Sequence, residues 1–420
     1  MSRPEPALDR RDAGLFGAAL LLRAAHAFRA GVAWPPAGDS AEYWEFARSL
    51  AETGLYFGPG GAIATRMPGY PVFLAAVRLL LGPSPEAVIA VQCLLGAAAC
   101  VLIRRVARRV APEGWALAAA ALAAAYGGLV TPAAMLLSES LYSFLLIASA
   151  WALYREDWTP ARRAAGFGLL SGALYLVRPE PLPYAGAVIL LMPALFPRFG
   201  LRQVGIAAVS LAVVAGLWVG RNYAQFGRLV PGSTVSRSVV YLSLWLPADR
   251  FGWDAGPRFE PPPGHELVRD RLYGAKFREL SRGLSFAQKA KAYAFNFVSI
   301  LYPFLPGYDW TYMLALPFAA WSLVLLPKRR ELWPFALAIA GSLTIFTFCG
   351  GWASRYRQGV SPYLLVLAAA GAASAVERLG RPRFRAAAGT WLGLNLVLWA
   401  FQPQARALAL GVRDALWGPR

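Results

Sequence analysis

The chain has 420 residues, of which 57% are hydrophobic and only 15% are charged, and its mean hydropathy is +0.43. Soluble globular domains carry about 25% charged residues, so this composition excludes an ordinary soluble protein. The formal net charge of +19 would suit a nucleic-acid-binding protein. The arginines, however, cluster at the ends of alternate apolar runs, as the positive-inside rule predicts for membrane topology.

Apolar runs of roughly 17–25 residues recur along the chain, and each is long enough to cross a bilayer as a helix. They predict an all-α polytopic protein with one membrane domain and about 11 transmembrane helices, within a range of roughly 10 to 13. We expect a multi-pass protein of the cell membrane (plasma or inner membrane) with a cytoplasmic N-terminus. Its predicted segments within the domain 1–420 are an extracytoplasmic first loop at 34–82, a large extracytoplasmic loop at 221–308, and C-terminal spans at 309–402.

The first loop combines acids, aromatic residues, glycines and an arginine in a short stretch. Asp39 and Glu42 open an amphipathic helix whose apolar positions recur every three or four residues. A glycine-rich segment, 58–62, follows, and Arg66 precedes the Pro-Gly-Tyr-Pro turn at 68–71. The glycine segment lacks the lysine and the strand–helix context of a P-loop, which indicates a connection and not a phosphate cradle.

When the spans are oriented by the positions of the arginines alone, the candidate polar residues all fall on one side of the membrane. This convergence on the extracytoplasmic face is the main residue-level argument for a functional site there. The residues are Asp39, Glu42, Arg66, Glu139, Arg178, Glu180, Arg221, Arg355 and Arg357.

Asp39 allows two interpretations. The spacing Asp-x-x-Glu is that of a capping box, with Asp39 at the N-cap and Glu42 at the third helical position. A carboxylate beside a bilayer can instead serve as a general base, because desolvation raises its pKa. The surroundings favour the base, although the two roles are compatible.

Glu139 lies at the outer start of an apolar helix. An acid within a membrane span is costly and points to function, while the alternative places Ser138 and Glu139 in a first turn that the helix dipole favours. Arg23 lies deep in the first span and demands a partner, for which Glu139 is the candidate in a structural ion pair.

The outer arginines run against the positive-inside trend and indicate an anionic partner, since guanidinium matches phosphate oxygens with a bidentate fork. The alternative is snorkelling to lipid headgroups. Arg66 and Arg178 each adjoin a proline turn, and Arg221 is expected directly after the seventh span. The three cysteines have neither metal-binding spacing nor a disulfide pattern.

The ordered series GDSAEYWEFARSL, RMPGYPVFLA, LLSESL, VRPEP, GRNYAQFGRLVPGST and SRYRQGVSPYLLVLAAAG resembles the GT-C superfamily of membrane glycosyltransferases. The likeness is greatest to the bacterial branch related to dolichyl-phosphate-mannose protein mannosyltransferases (family 39) and lipid A aminoarabinose transferases. It implies a GT-C-type bundle that moves a sugar from a polyprenyl phosphate to an extracytoplasmic acceptor with inversion. The relatives often have adjacent acids, Asp-Glu, where this chain has Asp-Ser-Ala-Glu.

The resemblance implies roles for individual residues. Asp39 matches the family's candidate base, and Glu139 and Glu42 are the other candidate catalytic acids. Candidate residues for the sugar and phosphate are Arg66, Tyr70, Arg178, Glu180, Arg221, Arg355 and Tyr356. The co-substrate is the polyprenyl-phosphate sugar, and the partners are membrane lipid and a glycan, lipid or protein acceptor. The scheme needs no metal, although paired acids leave room for a divalent ion.

Two other classes remain open at this point. A transporter or flippase for a lipid-linked sugar would also use arginines and a lipid groove, but it should carry polar residues at mid-membrane in both halves of the chain. A non-catalytic membrane scaffold would use the outer acids as helix caps only. The sequence names neither the sugar nor the acceptor, because pocket specificity depends on a few contacts.

Overall fold

A computed structural model describes residues 9–304, 307–350 and 355–417, with side chains for all of these except Arg355 and Leu416. This part of the chain is helical and contains no β-strand, only an isolated bridge between Phe304 and Tyr308. Its first ten helices are α1 (Arg10–Ala30), α2 (Asp39–Thr53), α3 (Gly69–Leu81), α4 (Pro85–Ala107), α5 (Glu113–Ala125), α6 (Gly127–Val130), α7 (Glu139–Tyr154), α8 (Pro160–Val177), α9 (Pro181–Leu195) and α10 (Leu201–Phe226).

The second half continues in the same way. Its helices are α11 (Ser236–Arg250), α12 (Glu266–Gly283), α13 (Phe286–Leu301), α14 (Trp310–Ser322), α15 (Trp333–Cys349), α16 (Arg355–Gln358), α17 (Ser361–Leu379), α18 (Arg381–Ala400) and α19 (Gln402–Trp417). Short 3₁₀ turns lie at Pro59–Gly61, Thr131–Ala134, Leu323–Leu325 and Arg330–Leu332.

By length and composition, four helices can cross a membrane: Pro85–Ala107, Leu201–Phe226, Arg330–Cys349 and Ser361–Leu379. A fifth span is formed if the bent pair Glu113–Ala125 and Gly127–Ala134 counts as one, and Gly69–Leu81, Pro181–Leu195 and Trp310–Leu325 are shorter apolar helices. The all-α membrane architecture is therefore confirmed. The count of about 11 spans stays a prediction.

Small residues set the packing of the bundle. In α17, 72% of the apolar window is buried, against 11% in α10, so α17 is central and α10 peripheral. A Cβ at Gly371 would stand 1.8 Å from the carbonyl oxygen of Phe318, and one at Gly168 would stand 2.3 Å from that of Ala207. Membrane helices come this close only where a residue has no side chain in the way.

The apolar run near 115–130 is long enough to predict one span, but it does not form one continuous helix. It breaks at Tyr126, and the two halves meet at 62°. Arg23, which is fully buried, donates to the carbonyl oxygens of Ala123 and Ala124 at 3.2 and 3.3 Å. At the break the amide of Tyr126 makes only a long bond of 3.4 Å to the carbonyl oxygen of Ala123, and the arginine supplies further donors to the carbonyl oxygens at this helix end.

The large loop predicted at 221–308 is mostly helical, with α11, α12 and α13 around their own apolar core, which includes Tyr241, Leu244 and Leu280. The helix α10 continues to Phe226, so Arg221 lies inside this helix and not in the loop that follows it. At the C-terminus, α18 is followed by the separate helix α19, which carries Arg406 and Arg413 and is tied to α11 by a 2.8 Å ion pair between Arg250 and Asp414.

Candidate active site

Arg66 joins the two acids that open α2. Its Nη2 lies 2.7 Å from Oδ1 of Asp39, and its Nε lies 2.8 Å from Oε2 of Glu42. We call these three residues the first-loop cluster. Two carboxylates and one guanidinium give it a net charge of −1 when all are ionised.

The predicted capping box takes a different form. Helix α2 begins at Asp39 itself, so Gly38 takes the N-cap position that the spacing assigned to Asp39. Both carboxylates reach Arg66, because the chain returns to the start of this helix 27 residues after Asp39. The interpretation of Asp39 as the N-cap is therefore wrong, and an ion pair holds its carboxylate.

Helix α2 is fixed by the apolar face that the periodicity predicts, with Tyr43, Phe46 and Ala47 buried. The ring of Tyr43 packs edge-on against Tyr70 with centroids 4.9 Å apart, and the guanidinium of Arg66 lies 5.2 Å from the Tyr43 ring. Tyr70 is fully buried and donates to Oε1 of Gln92 at 2.9 Å. The predicted substrate residue Tyr70 is thus part of the wall behind the cluster.

The backbone before Arg66 is held by residues far away in the sequence. The carboxylate of Glu266 accepts from the amides of Ile63 and Ala64, both at 3.1 Å, and from the Thr234 hydroxyl at 2.8 Å. Arg221 donates from Nη1 to the carbonyl oxygen of Ile63 at 2.7 Å. This double hold on Ile63 fixes the point from which Arg66 reaches the acids.

A second cluster, Glu139, Arg178 and Glu180, lies at the start of α7 and in the turn between α8 and α9. Arg178 Nη2 is 2.6 Å from Oε1 of Glu139, its Nε donates to the Ser138 hydroxyl at 2.9 Å, and its Nη1 is 3.8 Å from Glu180. Ser138 precedes α7 and Glu139 begins it, as predicted. The predicted pairing of Glu139 with Arg23 is wrong, because Arg178 is its ion-pair partner and Arg23 binds carbonyl oxygens.

The ionisation of both clusters follows from their surroundings. Burial acts to lower the pKa of Arg66, but its hydrogen bond to Glu42 and the nearby Tyr43 and Asp39 outweigh burial and raise it. For Arg178, burial is likewise outweighed by Glu139 and Glu180, and the pKa is raised. Burial raises the pKa of the Glu180 carboxyl despite the opposing charge of Arg178. Both arginines therefore stay charged.

The remaining predicted residues are more dispersed. Arg221 lies over the rings of Tyr56 and Trp218, at 5.6 and 5.1 Å. Tyr356 stacks on Phe346 with centroids 4.2 Å apart, in the short helix α16, which packs against α13 and α15. The side chain of Arg355 is outside the part of the chain that the structure describes.

Two acidic residues that hold other segments in place could not be identified from the sequence. Glu266 follows a proline-rich stretch and looks like an ordinary acid in a first helical turn. Asp309 binds Arg357 at 2.8 Å, and Arg357 also donates to the carbonyl oxygen of Tyr302 at 2.8 Å. Only long-range contacts reveal either role, and a single sequence contains no signal for them.

A groove of about 730 Å³ opens beside the first-loop cluster. Its walls are the glycine segment, the start of α11 and the start of α12, and Glu42 lies at its edge. This volume is within the usual range for small-molecule sites, about 300–1,000 Å³. Across residues 9–304, 307–350 and 355–417, no group of three or more His, Cys, Asp or Glu residues is arranged to hold a metal ion.

No protein-family model matches the chain, and no curated protein matches it in sequence. Solved structures do match. The oligosaccharyltransferase of Archaeoglobus fulgidus in complex with Zn and sulfate aligns with a TM-score of 0.50 at 13% identity, over 97% of this chain and 53% of its own. ArnT from Cupriavidus metallidurans bound to undecaprenyl phosphate aligns with a TM-score of 0.43 at 14% identity, over 87% and 79%. The Pmt1–Pmt2 protein O-mannosyltransferase of S. cerevisiae, bound to the sugar donor, aligns with 0.41 at 18% identity, over 57% and 37%.

The chain thus spans about half the length of the oligosaccharyltransferase to which it is similar. At this level of identity the likeness defines the fold. The chain has the GT-C fold and is an all-helical, multi-pass membrane protein in its described residues, and this is the fold that the sequence motifs imply.

Proposed function

We propose that the protein is a membrane glycosyltransferase that moves a sugar from a polyprenyl phosphate to an acceptor hydroxyl on the extracytoplasmic face. The fold supports this proposal, since the solved structure that it resembles is an oligosaccharyltransferase. The observation that carries it is the first-loop cluster: an aspartate held by an arginine next to a groove of about 730 Å³.

Asp39 is the general base in this proposal. As the acceptor oxygen forms its bond to the anomeric carbon, the bond from that carbon to the phosphate oxygen breaks, and the acceptor proton passes to the Asp39 carboxylate. Attack opposite the leaving phosphate inverts the configuration. Arg66 fixes the direction of the carboxylate, as a base within hydrogen-bond reach of a hydroxyl requires.

The departing phosphate needs positive charge as its own negative charge develops. Arg66 and Arg178 are each bound by two carboxylates, so a phosphate would compete with those acids for them. Arg221 has no carboxylate within ion-pair distance in the described part of the chain, and it lies on the peripheral helix α10. We therefore rank Arg221 first for phosphate binding.

The other residues have supporting roles in the proposal. Glu139 and Glu180 orient the sugar from the side of the second cluster, and Tyr70 supports the first-loop cluster from the wall behind it. Arg355 and Tyr356 remain candidates for contacts with the phosphate or its lipid. Glu42 shares Arg66 with the base and faces the groove.

The test is turnover in reconstituted membranes supplied with a panel of polyprenyl-phosphate sugars and acceptors, with released polyprenyl phosphate measured by mass spectrometry. Asp39→Asn should lower turnover by a factor of about 10² to 10⁴, the usual contribution of a general base. Asparagine suits a helix start about as well as aspartate, so the fold should survive. Glu45→Gln, an exposed acid on the same helix, is the control and should match wild type.

Asp39→Asn turnover equal to wild type would remove Asp39 from the chemistry. If wild type releases no polyprenyl phosphate with any donor and acceptor, the glycosyltransferase proposal fails. Movement of an intact donor between leaflets in that case would identify a flippase instead.

A further inference from the structure

Part of the groove beside the first-loop cluster is lined by glycine backbone and not by side chains. Gly60 and Gly61 form part of one wall with φ of 64° and 77°, a backbone conformation that favours glycine. A Cβ on either residue would meet nothing within 4 Å. The wall is therefore bare backbone facing open space, and a ligand can approach it closely.

The opposite wall offers a flat ring and polar groups. Tyr273 lines the groove, and its ring is held by Tyr241 and Phe259, with centroids 5.9 and 5.6 Å away. Ser238 lines the groove from α11. A fixed ring beside hydroxyls suits a ligand with both an apolar face and hydroxyl groups.

Thr65 adds an independent observation. It lines the groove immediately before Arg66, and its buried hydroxyl has no hydrogen-bond partner within the described residues. A buried hydroxyl without a partner costs about 1–3 kcal/mol and is rare in folded proteins. Rotation of the Thr65 side chain towards the groove would let a ligand or water hydroxyl supply the missing partner.

The charges of the groove exclude an anionic ligand. Its charged lining consists of three carboxylates, Glu42, Glu266 and Asp270, and one guanidinium, Arg269. A phosphate or carboxylate would face these acids at short range, which is unfavourable.

We propose that this groove binds the acceptor and that the acceptor is an uncharged glycan, presented with one hydroxyl towards the first-loop cluster. The assignment rests on the proposed transferase function. Helix α2 separates the two substrates, since Glu42 faces the groove while its neighbour Tyr43 is buried against Tyr70, on the side of the second cluster. The donor sugar then approaches Asp39 from the Tyr43 side and the acceptor from the Glu42 side.

The test measures binding separately from turnover. Saturation-transfer NMR on the purified full chain in detergent would use three probes at millimolar concentration: mannobiose, a sulfated disaccharide and a serine- and threonine-rich peptide. Wild type should show transfer to mannobiose alone. Ser238→Trp, which fills the groove, should abolish it, and Thr65→Val, which keeps the shape and removes the hydroxyl, should weaken binding by about tenfold.

Ser236→Trp is the matched control, because Ser236 is exposed on the same helix and does not line the groove; it should bind as wild type does. Transfer to the sulfated sugar or the peptide, no transfer to mannobiose, or transfer that survives Ser238→Trp would each overturn the proposal. If the protein binds mannobiose in the groove but consumes no donor, the failure lies with the proposed transferase function and not with the glycan site.

Discussion

At the residue scale, the site consists of arginines shared among carboxylates. Arg66 binds Asp39 and Glu42, and Arg178 binds Glu139 and Glu180. Each arginine fixes the direction of the acids that it contacts, so the acids are oriented before any substrate arrives. The same arrangement makes these arginines poor free anion sites, and for that reason the proposed function assigns phosphate binding to Arg221.

Removal of Arg178 should be costly. Arg178→Met breaks the ion pair with the buried Glu139, and breaking a buried pair from one side destabilises a protein by about 3–5 kcal/mol. The double variant Arg178→Met/Glu139→Gln, which also removes that charge, should recover much of the loss. Unfolding of the purified protein, followed by tryptophan fluorescence, measures both. A single variant as stable as wild type would show that the pair contributes nothing.

At the element scale, two contacts position the first loop. The N-terminus of α3 lies against the end of α8, where a Cβ on Gly69 would be 2.7 Å from the backbone of Leu176 and Val177. The segment before Arg66 is tied to α12 by Glu266. At the Pro-Gly-Tyr-Pro turn α3 thus packs against α8, and α12 holds the first loop in place through Glu266.

Gly69→Ala should move α3 away from α8 and destabilise the protein by about 1–3 kcal/mol, as other overpacked positions do. Because backbone atoms form the obstacle, no side chain can rotate out of the way. Gly216→Ala in α10 is the control, since a Cβ there meets nothing within 4 Å. Equal melting temperatures for the two variants would contradict the close approach.

Glu266→Gln should loosen the loop without unfolding the protein. The amides of Ile63 and Ala64 lose bonds to a charged acceptor, which are worth about 1.5–3 kcal/mol each. Hydrogen exchange of these two amides should accelerate by about tenfold or more, and turnover should fall as Arg66 loses its fixed position. Glu279→Gln, an exposed acid of the same helix, should leave both unchanged. Unaltered hydrogen exchange of these amides in Glu266→Gln would show that Glu266 does not hold the loop in place.

Sequence reasoning succeeded where the signal is local and failed where it is long-range. The buried stripe of Tyr43, Phe46 and Ala47 follows from helical periodicity, and Glu139 begins its helix as the dipole argument predicts. The pairing of Arg66 with Asp39 spans 27 residues and that of Ile63 with Glu266 spans 203. Helix propensity and periodicity describe only residues that are close in the sequence and give no information on contacts at this separation. The wrong partner predicted for Arg23 and the missed role of Glu266 both follow from this.

At the scale of the whole molecule, a third ion network joins helices of the first half of the chain. Arg104, only 2% exposed in its side chain, binds Asp9, Asp12 and Glu113 at 2.9, 2.6 and 2.6 Å. These residues lie at the ends of α1, α4 and α5. Arg104 therefore joins α1, α4 and α5. Helix α1 carries Arg23, and α5 carries the carbonyl oxygens that Arg23 binds.

This network predicts acid sensitivity. The hydrogen bond from Arg104 lowers the pKa of Asp9 to about 2. Since the unfolded value is about 3.9, Asp9 contributes stability above that pH, and the contribution is lost as the pH falls towards 2. Thermal unfolding of wild type should therefore weaken more steeply below about pH 4 than that of Asp9→Asn. Glu260→Gln, an exposed acid, should follow wild type, and parallel curves for wild type and Asp9→Asn would refute the linkage.

The hold of Glu266 on Ile63 and Ala64 has a consequence for protein engineering. The glycine segment and α12 form one mechanical unit, although about 200 residues separate them in the chain. An attempt to change specificity by grafting the helix of a relative would also move Arg66 relative to Asp39. Such grafts should work only when the glycine segment is exchanged together with the helix, so the smallest transferable part of this protein is a pair of distant segments.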